Sequence, residues 1–295
     1  MKKVLITGSG MLASALARAA PAYGYDPALA AHSQLDITDR SAVFTLIVSM
    51  RPDLVFHAAA LTRVNYCEQH PEEALHVNKT GTANVVEATE QAMARLVYFS
   101  TDYIFDGAKE SPWTEADQPH PINVYGQSKL AGETAVQAYY RSHIVRTSGI
   151  FGPRDDGHEE RNFIRAITEK LLSTNEEIPV VSDQRTALTY GPHLANMVFS
   201  LLGEGLAAVT HLTSHGSDSW YGWACHVCQA AGQPLTRIRP VASARLEDAT
   251  PRPAYSVLSS SAASARAIMM MHPVLPALNA YVAALVNMCR SHGRG

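Results

Sequence analysis

Short apolar runs alternate with longer segments of helical spacing through the first half of the chain. Lys3–Thr7, Pro27–Ala31, Leu54–Ala58, Arg95–Ser100 and His143–Thr147 have the near-continuous apolar character of strands buried on both faces. Between them, Met11–Ala20, Asp39–Met50, Pro71–Ala92 and Val124–Tyr140 carry the spacing of helices packed by one face. Such alternation predicts an α/β fold, a doubly wound parallel sheet of the Rossmann kind, because right-handed crossovers put helices on both sides. Beyond about residue 150 the pattern loosens. Gly152–Gly157 reads as a surface loop. Helices are expected near Asn162–Leu172, Pro192–Leu202, Ser219–Ala231 and Leu275–Cys289, with strands at Ile178–Val181 and Val209–Leu212. Thr250–Pro253 should be extended, since each proline disfavours α for the residue before it. The expected organisation is residues 1–150 as a dinucleotide-binding domain. A smaller mixed α/β substrate-binding part, residues 151–295, packs on it, with some chain crossing back.

Composition narrows the classes. Of 295 residues, 46% are hydrophobic and 17% charged, ample for a core and unlike a disordered chain. The net charge is −3 and Lys/Arg residues form no dense run, which argues against a nucleic-acid partner. The apolar start is too short for a signal-peptide core and no long uninterrupted apolar stretch follows, so a cytoplasmic protein without membrane insertion is expected. Four cysteines make no disulfide framework, and Cys225-His226-Val227-Cys228 has no second ligand pair at zinc-site spacing, so these cysteines are expected to be buried on a helix. Met269–Met271 is expected to fill core, and Glu159-Glu160-Arg161 and Glu176-Glu177 to be solvated.

Two patterns carry chemistry. Gly8-Ser9-Gly10-Met11-Leu12-Ala13 follows the first strand and opens a helix. Gly8 permits the tight turn, Gly10 lets backbone approach a pyrophosphate, Ala13 allows close helix–strand packing, and the helix N-terminus offers free N–H groups to phosphates. The second strand ends in Ala31-His32-Ser33, with neither the carboxylate that binds a ribose nor an Arg for a 2′-phosphate. NADPH and NADH both remain open, with a slight lean to NADPH. Asp36 either contacts adenine or caps the helix near Thr38 or Asp39. In the second pattern, Tyr125 and Lys129 stand four residues apart on one helical face. A neighbouring ammonium draws a phenol toward acidity, so Tyr125 can protonate a carbonyl oxygen as hydride reaches carbon. Ser100 or Thr101, ending a strand, could hydrogen-bond that carbonyl, and Asp102 a substrate hydroxyl.

Thr7-Gly8…Gly10, Asp36-Ile37, Ala58-Ala59-Ala60, Ser100-Thr101-Asp102-Tyr103 and Tyr125-x-x-x-Lys129 together resemble the extended short-chain dehydrogenase/reductase superfamily. Within it the chain resembles the dTDP-4-dehydrorhamnose reductase family over nearly its whole length, including Asn123-Val124-Tyr125-Gly126, Ser128–Glu133, Arg146-Thr147-Ser148, Asn162-Phe163, Ser219-Trp220-Tyr221 and Arg252-Pro253. The resemblance implies an NAD(P)H-dependent reductase of the 4-keto group of a dTDP-linked 6-deoxyhexose. Tyr125 would be the proton donor, Lys129 its partner on the nicotinamide ribose, and Thr101 the group polarising the ketone. It implies cofactor contacts from Gly8, Ser9, Gly10, Met11, Leu12, Asp36, Ile37, Ala58, Ala59, Ala60 and Thr62, and substrate contacts from Thr101, Asp102, Tyr103, Gly149 and Arg252. Asn78 either orders the site through hydrogen bonds or is a buried structural asparagine. The partner is a nucleotide-sugar, with a homodimer open; some relatives use a divalent metal at a subunit contact, for which no ligands are assigned here. The chain departs from the family where its glycine turn is one residue shorter, where Asn65 replaces an Asp, and where Leu258-Ser259-Ser260 replaces Leu-Asp. Gly149 stands in place of a Trp that helps hold the nucleotide-sugar, which should enlarge or reshape the pocket. The alternatives are a cofactor-binding regulatory subunit resembling that of methionine adenosyltransferase, and a reductase or epimerase of another sugar.

Overall fold

Alternation of side chains along buried strands builds two apolar faces from one sheet. In a computed structural model, which describes residues 1–154, 162–245, 250–259 and 272–292, the chain begins with β1 (Lys2–Thr7), α1 (Met11–Ala19), β2 (Tyr25–Ala30), α2 (Arg40–Met50) and β3 (Leu54–His57). Then come α3 (Val64–Gln69), α4 (Pro71–Leu75), α5 (Thr82–Gln91), β4 (Arg95–Thr101), α6 (Val124–Gln137) and β5 (Ser142–Thr147). The later part holds β6 (Ile150–Phe151), α7 (Phe163–Ser173), β7 (Ile178–Val181), β8 (Arg185–Ala187), β9 (Thr189–Tyr190) and α8 (Gly191–Glu204). β10 (Val209–His211), β11 (Ser217–Ser219), α9 (Trp220–Ala230), β12 (Ile238–Val241) and α10 (Val274–His292) complete it.

The central sheet has the order β2-β1-β3-β4-β5-β10, and every pairing is parallel. It is the doubly wound α/β architecture expected. β10 comes from the second half of the chain and extends the sheet beyond β5. Val4, Ile6, Phe56 and Phe99 face α1 and α8, meeting Leu16, Val198 and Phe199, while Leu5, Val55, Leu96 and Tyr98 face Val43, Ile47 and Val85 on α2 and α5. Fully burying such side chains stabilises the fold by about 1.5–3 kcal/mol each. A third cluster joins α7, α9 and α10 around Ile164, Trp223, Val227, Leu278 and Val282, and the parallel pair β7–β12 packs beside it.

The predicted strands and helices are present, with ends shifted by a few residues. One differs in kind. The single helix expected over Pro71–Ala92 is α4 and α5 joined by a π-helical turn, His76–Gly81, which carries buried Asn78. The short strands β6, β8, β9, β11 and β12 and helix α3 were not expected, being too brief to show a period. Thr250–Pro253 is irregular. Cys225 is half-buried and Cys228 buried, both free on α9, and Glu176 and Glu177 are exposed. Residues 155–157 of the expected loop, the Glu159-Glu160-Arg161 run, Ser260 and Met269–Met271 lie outside the described residues. Among the described residues no helix is long and apolar enough to cross a membrane, and no group of three His, Cys, Asp or Glu side chains could hold a metal ion.

Candidate active site

Strand order reverses between β1 and β3, and a cleft of about 320 Å³ opens along the carboxyl edge from there. Its floor is the glycine turn. Gly8 has φ +90°, and a Cβ there would lie 3.1 Å from the backbone of Ala59, so only glycine lets the turns after β1 and β3 touch. Helix α1 starts at Gly10 with no side-chain cap, leaving its first N–H groups toward the cleft beside Met11, Leu12 and Ala13. Ala58, Ala60 and Thr62 line the neighbouring wall. Among the described residues, Lys129 supplies the cleft's charge and no carboxylate lines it, so phosphates would meet no like charge from them. Ser100 Oγ, on a residue 5% exposed, has no hydrogen-bond partner although it lines the cleft, which leaves one buried polar atom for a ligand to satisfy. These features fit a dinucleotide.

The opposite rim is built by α6. Asn123 caps the helix, accepting from Gly126 N at 2.8 Å, and its amide donates to Pro251 O at 2.9 Å. Any side chain at Gly126 would strike the Tyr103 carbonyl, so this glycine brings the helix start down onto the end of β4. Tyr125 and Lys129 thereby face the same cleft as Thr101. Burial pushes the Tyr125 phenol up, and its hydrogen bond with the Thr101 hydroxyl draws it back. The phenol is thus held above its usual value, not drawn toward acidity as the Tyr–Lys spacing alone suggested. The Lys129 ammonium donates to Phe99 O at 2.7 Å and lies 4.0 Å from the centre of the Tyr98 ring. Burial lowers Lys129 to about 7, with Glu133 opposing.

Asn78 ties the rims together. Its side chain accepts from Leu61 N at 2.8 Å and donates to Leu61 O and to Ser128 Oγ, each at 2.9 Å; Ser128 Oγ donates to Tyr125 O at 2.8 Å. The π-helical turn aims this side chain inward.

Several predicted residues lie away from the cleft wall. Asp36 is exposed and its Oδ1 accepts from Thr38 N at 2.9 Å and Thr38 Oγ1 at 2.8 Å, the local turn of the capping alternative, while Asp39 caps α2. Ile37 is buried in the core. Asp102 is 3% exposed and turned inward: it accepts from Thr101 Oγ1 at 3.1 Å and Thr186 Oγ1 at 3.4 Å, and burial raises it to about 6. Tyr103 and Arg252 hydrogen-bond each other, Arg252 also bonds Asn65, and both line a second cavity with Lys170 and Gln184. Gly149 lines the cleft. At φ +48° its Cβ would stand 2.6 Å from Leu188 Cδ2 and 2.8 Å from Ala187 O, so β8 and Leu188 close the space where a side chain would begin.

Phe163 and Trp220, with ring centres 4.7 Å apart, stand between the two cavities and line both. Sequence reasoning missed them as site residues. The signal was present: each is an aromatic residue directly after an N-cap, Asn162 or Ser219, at the start of a helix.

A glycine turn at the switch point and a Thr–Tyr–Lys set across one cleft define an oxidoreductase of the short-chain dehydrogenase/reductase class. The chain belongs to the dTDP-4-dehydrorhamnose reductase family: the family model described as RmlD substrate binding domain matches residues 1–287. The dTDP-4-dehydrorhamnose reductase of Mycolicibacterium smegmatis is 33% identical over 97% of this chain and 86% of its own length. A dTDP-4-keto-6-deoxy-D-glucose reductase of Streptomyces niveus is 36% identical over 77% and 78% respectively. The crystal structure of the Bacillus anthracis dTDP-4-dehydrorhamnose reductase in complex with NADP superposes with a TM-score of 0.89 at 31% identity, covering 96% of this chain and 99% of that one.

Proposed function

We propose that the protein reduces the 4-keto group of a dTDP-linked 6-deoxyhexose with NADPH, dTDP-4-dehydrorhamnose or a close relative being the substrate. The reading rests above all on Thr101, Tyr125 and Lys129 sharing one cleft with the uncapped helix after Gly8-Ser9-Gly10. Residues 1–150 supply the cofactor side and residues 151–295 the substrate side. The absence of a carboxylate in Ala31-His32-Ser33 at the end of β2 favours NADPH, since none there repels a 2′-phosphate.

Bound NADPH supplies the hydride. Gly8, Gly10 and the first amides of α1 take the pyrophosphate, and the Ala58–Ala60 turn and Thr62 line its other side. Ser100 Oγ, whose proton is uncommitted, and Thr101 Oγ1, once its hydroxyl turns from Asp102 toward the ketone, stabilise the negative charge that grows on the substrate oxygen. Tyr125 holds its proton firmly because its phenol is buried, and releases it as that oxygen becomes more basic than the phenol. The Lys129 ammonium contributes positive charge to the same region. Asn78 and Ser128 fix the backbone of Tyr125. Phe163 and Trp220 mark the substrate side, and the protein works in the cytoplasm.

The test follows nicotinamide absorbance as NADPH and dTDP-4-keto-6-deoxysugars are mixed with wild type and Tyr125→Phe. Wild type should oxidise NADPH with at least one such sugar, and Tyr125→Phe should lose about 10²–10⁴-fold in kcat while still binding NADPH. NADPH binding without turnover of any such sugar would instead indicate a regulatory, non-catalytic protein.

A further inference from the structure

Lys129 is the charged side chain among the described residues of the cleft, yet it is 3% exposed, and burial works against its ammonium. The groups around it differ in what they offer. Phe99 O and the Tyr98 ring on β4 accept it. His57, at the end of β3, is buried and offers no negative charge. Tyr125 shares its helix and is held as a neutral phenol. Glu133, one helical turn beyond Lys129 on α6, supplies the anion.

That anion is fixed from the neighbouring strand. Arg146 on β5 grips it as a fork, Nε to Oε1 at 3.0 Å and Nη2 to Oε2 at 2.7 Å, with both side chains nearly inaccessible. His211 on β10 stands behind Arg146. Its Nδ1 donates to Trp113 O at 3.1 Å, which leaves Nε2 as the acceptor facing Arg146 Nη1 at 3.4 Å. His211 is therefore neutral, and the Phe105 ring lies against the guanidinium, 5.6 Å from its centre. The net result is a buried dipole whose negative end is on the helix of Lys129 and whose positive end is on the sheet.

We propose that Glu133 is a positioning residue for the reaction: held by Arg146 and His211, it keeps Lys129 protonated in the closed, water-poor cleft. The inference rests on the reading that Lys129 acts in turnover. Without the Glu133 charge, the ammonium is opposed by burial and by an uncompensated Arg146, and Lys129 loses its proton at lower pH.

The experiment is the pH profile of kcat for NADPH oxidation, with folding followed by thermal melting. E133Q should move the alkaline limb down by about one pH unit, a roughly tenfold loss near pH 8 with turnover recovered near pH 6. Glu133→Asp, which retains the charge, should restore most of the limb. If E133Q leaves Arg146 too poorly compensated to fold, the double variant Glu133→Gln/Arg146→Met removes both charges and should shift the limb in the same direction by less. A folded E133Q or double variant with the wild-type limb, or one whose loss is uniform across pH, overturns the proposal. Lys129→Met separates the two readings. Full turnover in that variant would remove the role of Lys129 itself, whereas an inactive Lys129→Met beside an unshifted E133Q would remove only the role of Glu133.

Discussion

His57 should make the protein acid-sensitive in a defined window. The side chain is 1% exposed, with Nδ1 2.7 Å from Thr7 Oγ1 and Nε2 3.1 Å from Thr82 Oγ1. Thr82 donates its hydroxyl proton to Asn78 O at 2.7 Å, so Nε2 must carry the hydrogen toward Thr82, and Nδ1 must accept from Thr7. A second proton on Nδ1 would face the Thr7 hydroxyl proton. Burial, with the nearby Lys129 charge adding to it, lowers His57 to about 3 from 6.5. Between those values the unfolded chain binds the proton that the folded chain refuses, so stability present above pH 6.5 is lost as pH falls toward 3. From pH 7 to pH 5 the loss is about 2 kcal/mol, and over the whole span about 5 kcal/mol. Asp102 acts in the opposite direction: raised to about 6 from 3.8, it adds stability as pH falls through that interval. The quantity to measure is therefore the difference between wild type and His57→Asn, whose amide can bond both threonines without titrating. Urea denaturation at intervals from pH 8 to pH 5 should show this difference level above about pH 7 and then falling by roughly 2 kcal/mol toward pH 5. A difference flat to within about 0.5 kcal/mol across that range would refute a neutral, proton-refusing His57.

Gly8→Ala places a Cβ 3.1 Å from Ala59 at φ +90° and should raise the Kd for NADPH about tenfold or more, read by titration of nicotinamide fluorescence. Gly149→Trp should not simply restore a flat wall; collision with Ala187 O and Leu188 should lower stability by about 1–3 kcal/mol in urea denaturation. Phe56→Ala, at a fully buried position in contact with Phe99 and Phe199, should cost about 3–5 kcal/mol by the same measurement.

The inner strands of the central sheet were legible because they are buried on both faces, so near-continuous apolar runs such as that of Leu54–His57 mark them. The turn after β1 was legible for a similar reason, its glycines being demanded by backbone geometry alone. What the sequence hid depends on contacts between distant segments. Spacing put Tyr125 and Lys129 on one face, but could not reveal that Phe99 O and the Tyr98 ring take up the ammonium. Nor could it reveal that Asp102 turns inward to Thr186. Gly149 read as an empty position because its neighbours Ala187 and Leu188 arrive nearly forty residues later in sequence. The π-helical turn at His76–Gly81 keeps an apolar pattern close enough to a regular helix to pass for one.

The addition of β10 beside β5, and of α8 across Leu16 and Phe56, has a consequence for biogenesis. A nascent chain that has emerged only as far as β5 shows an open strand margin and an uncovered patch of leucine and phenylalanine side chains. It cannot settle until residues up to about 211 have left the ribosome. The segments up to β5 and those from α8 to β10 therefore settle together, and a chain cut after β5 would be an adhesive fragment instead of an independent module.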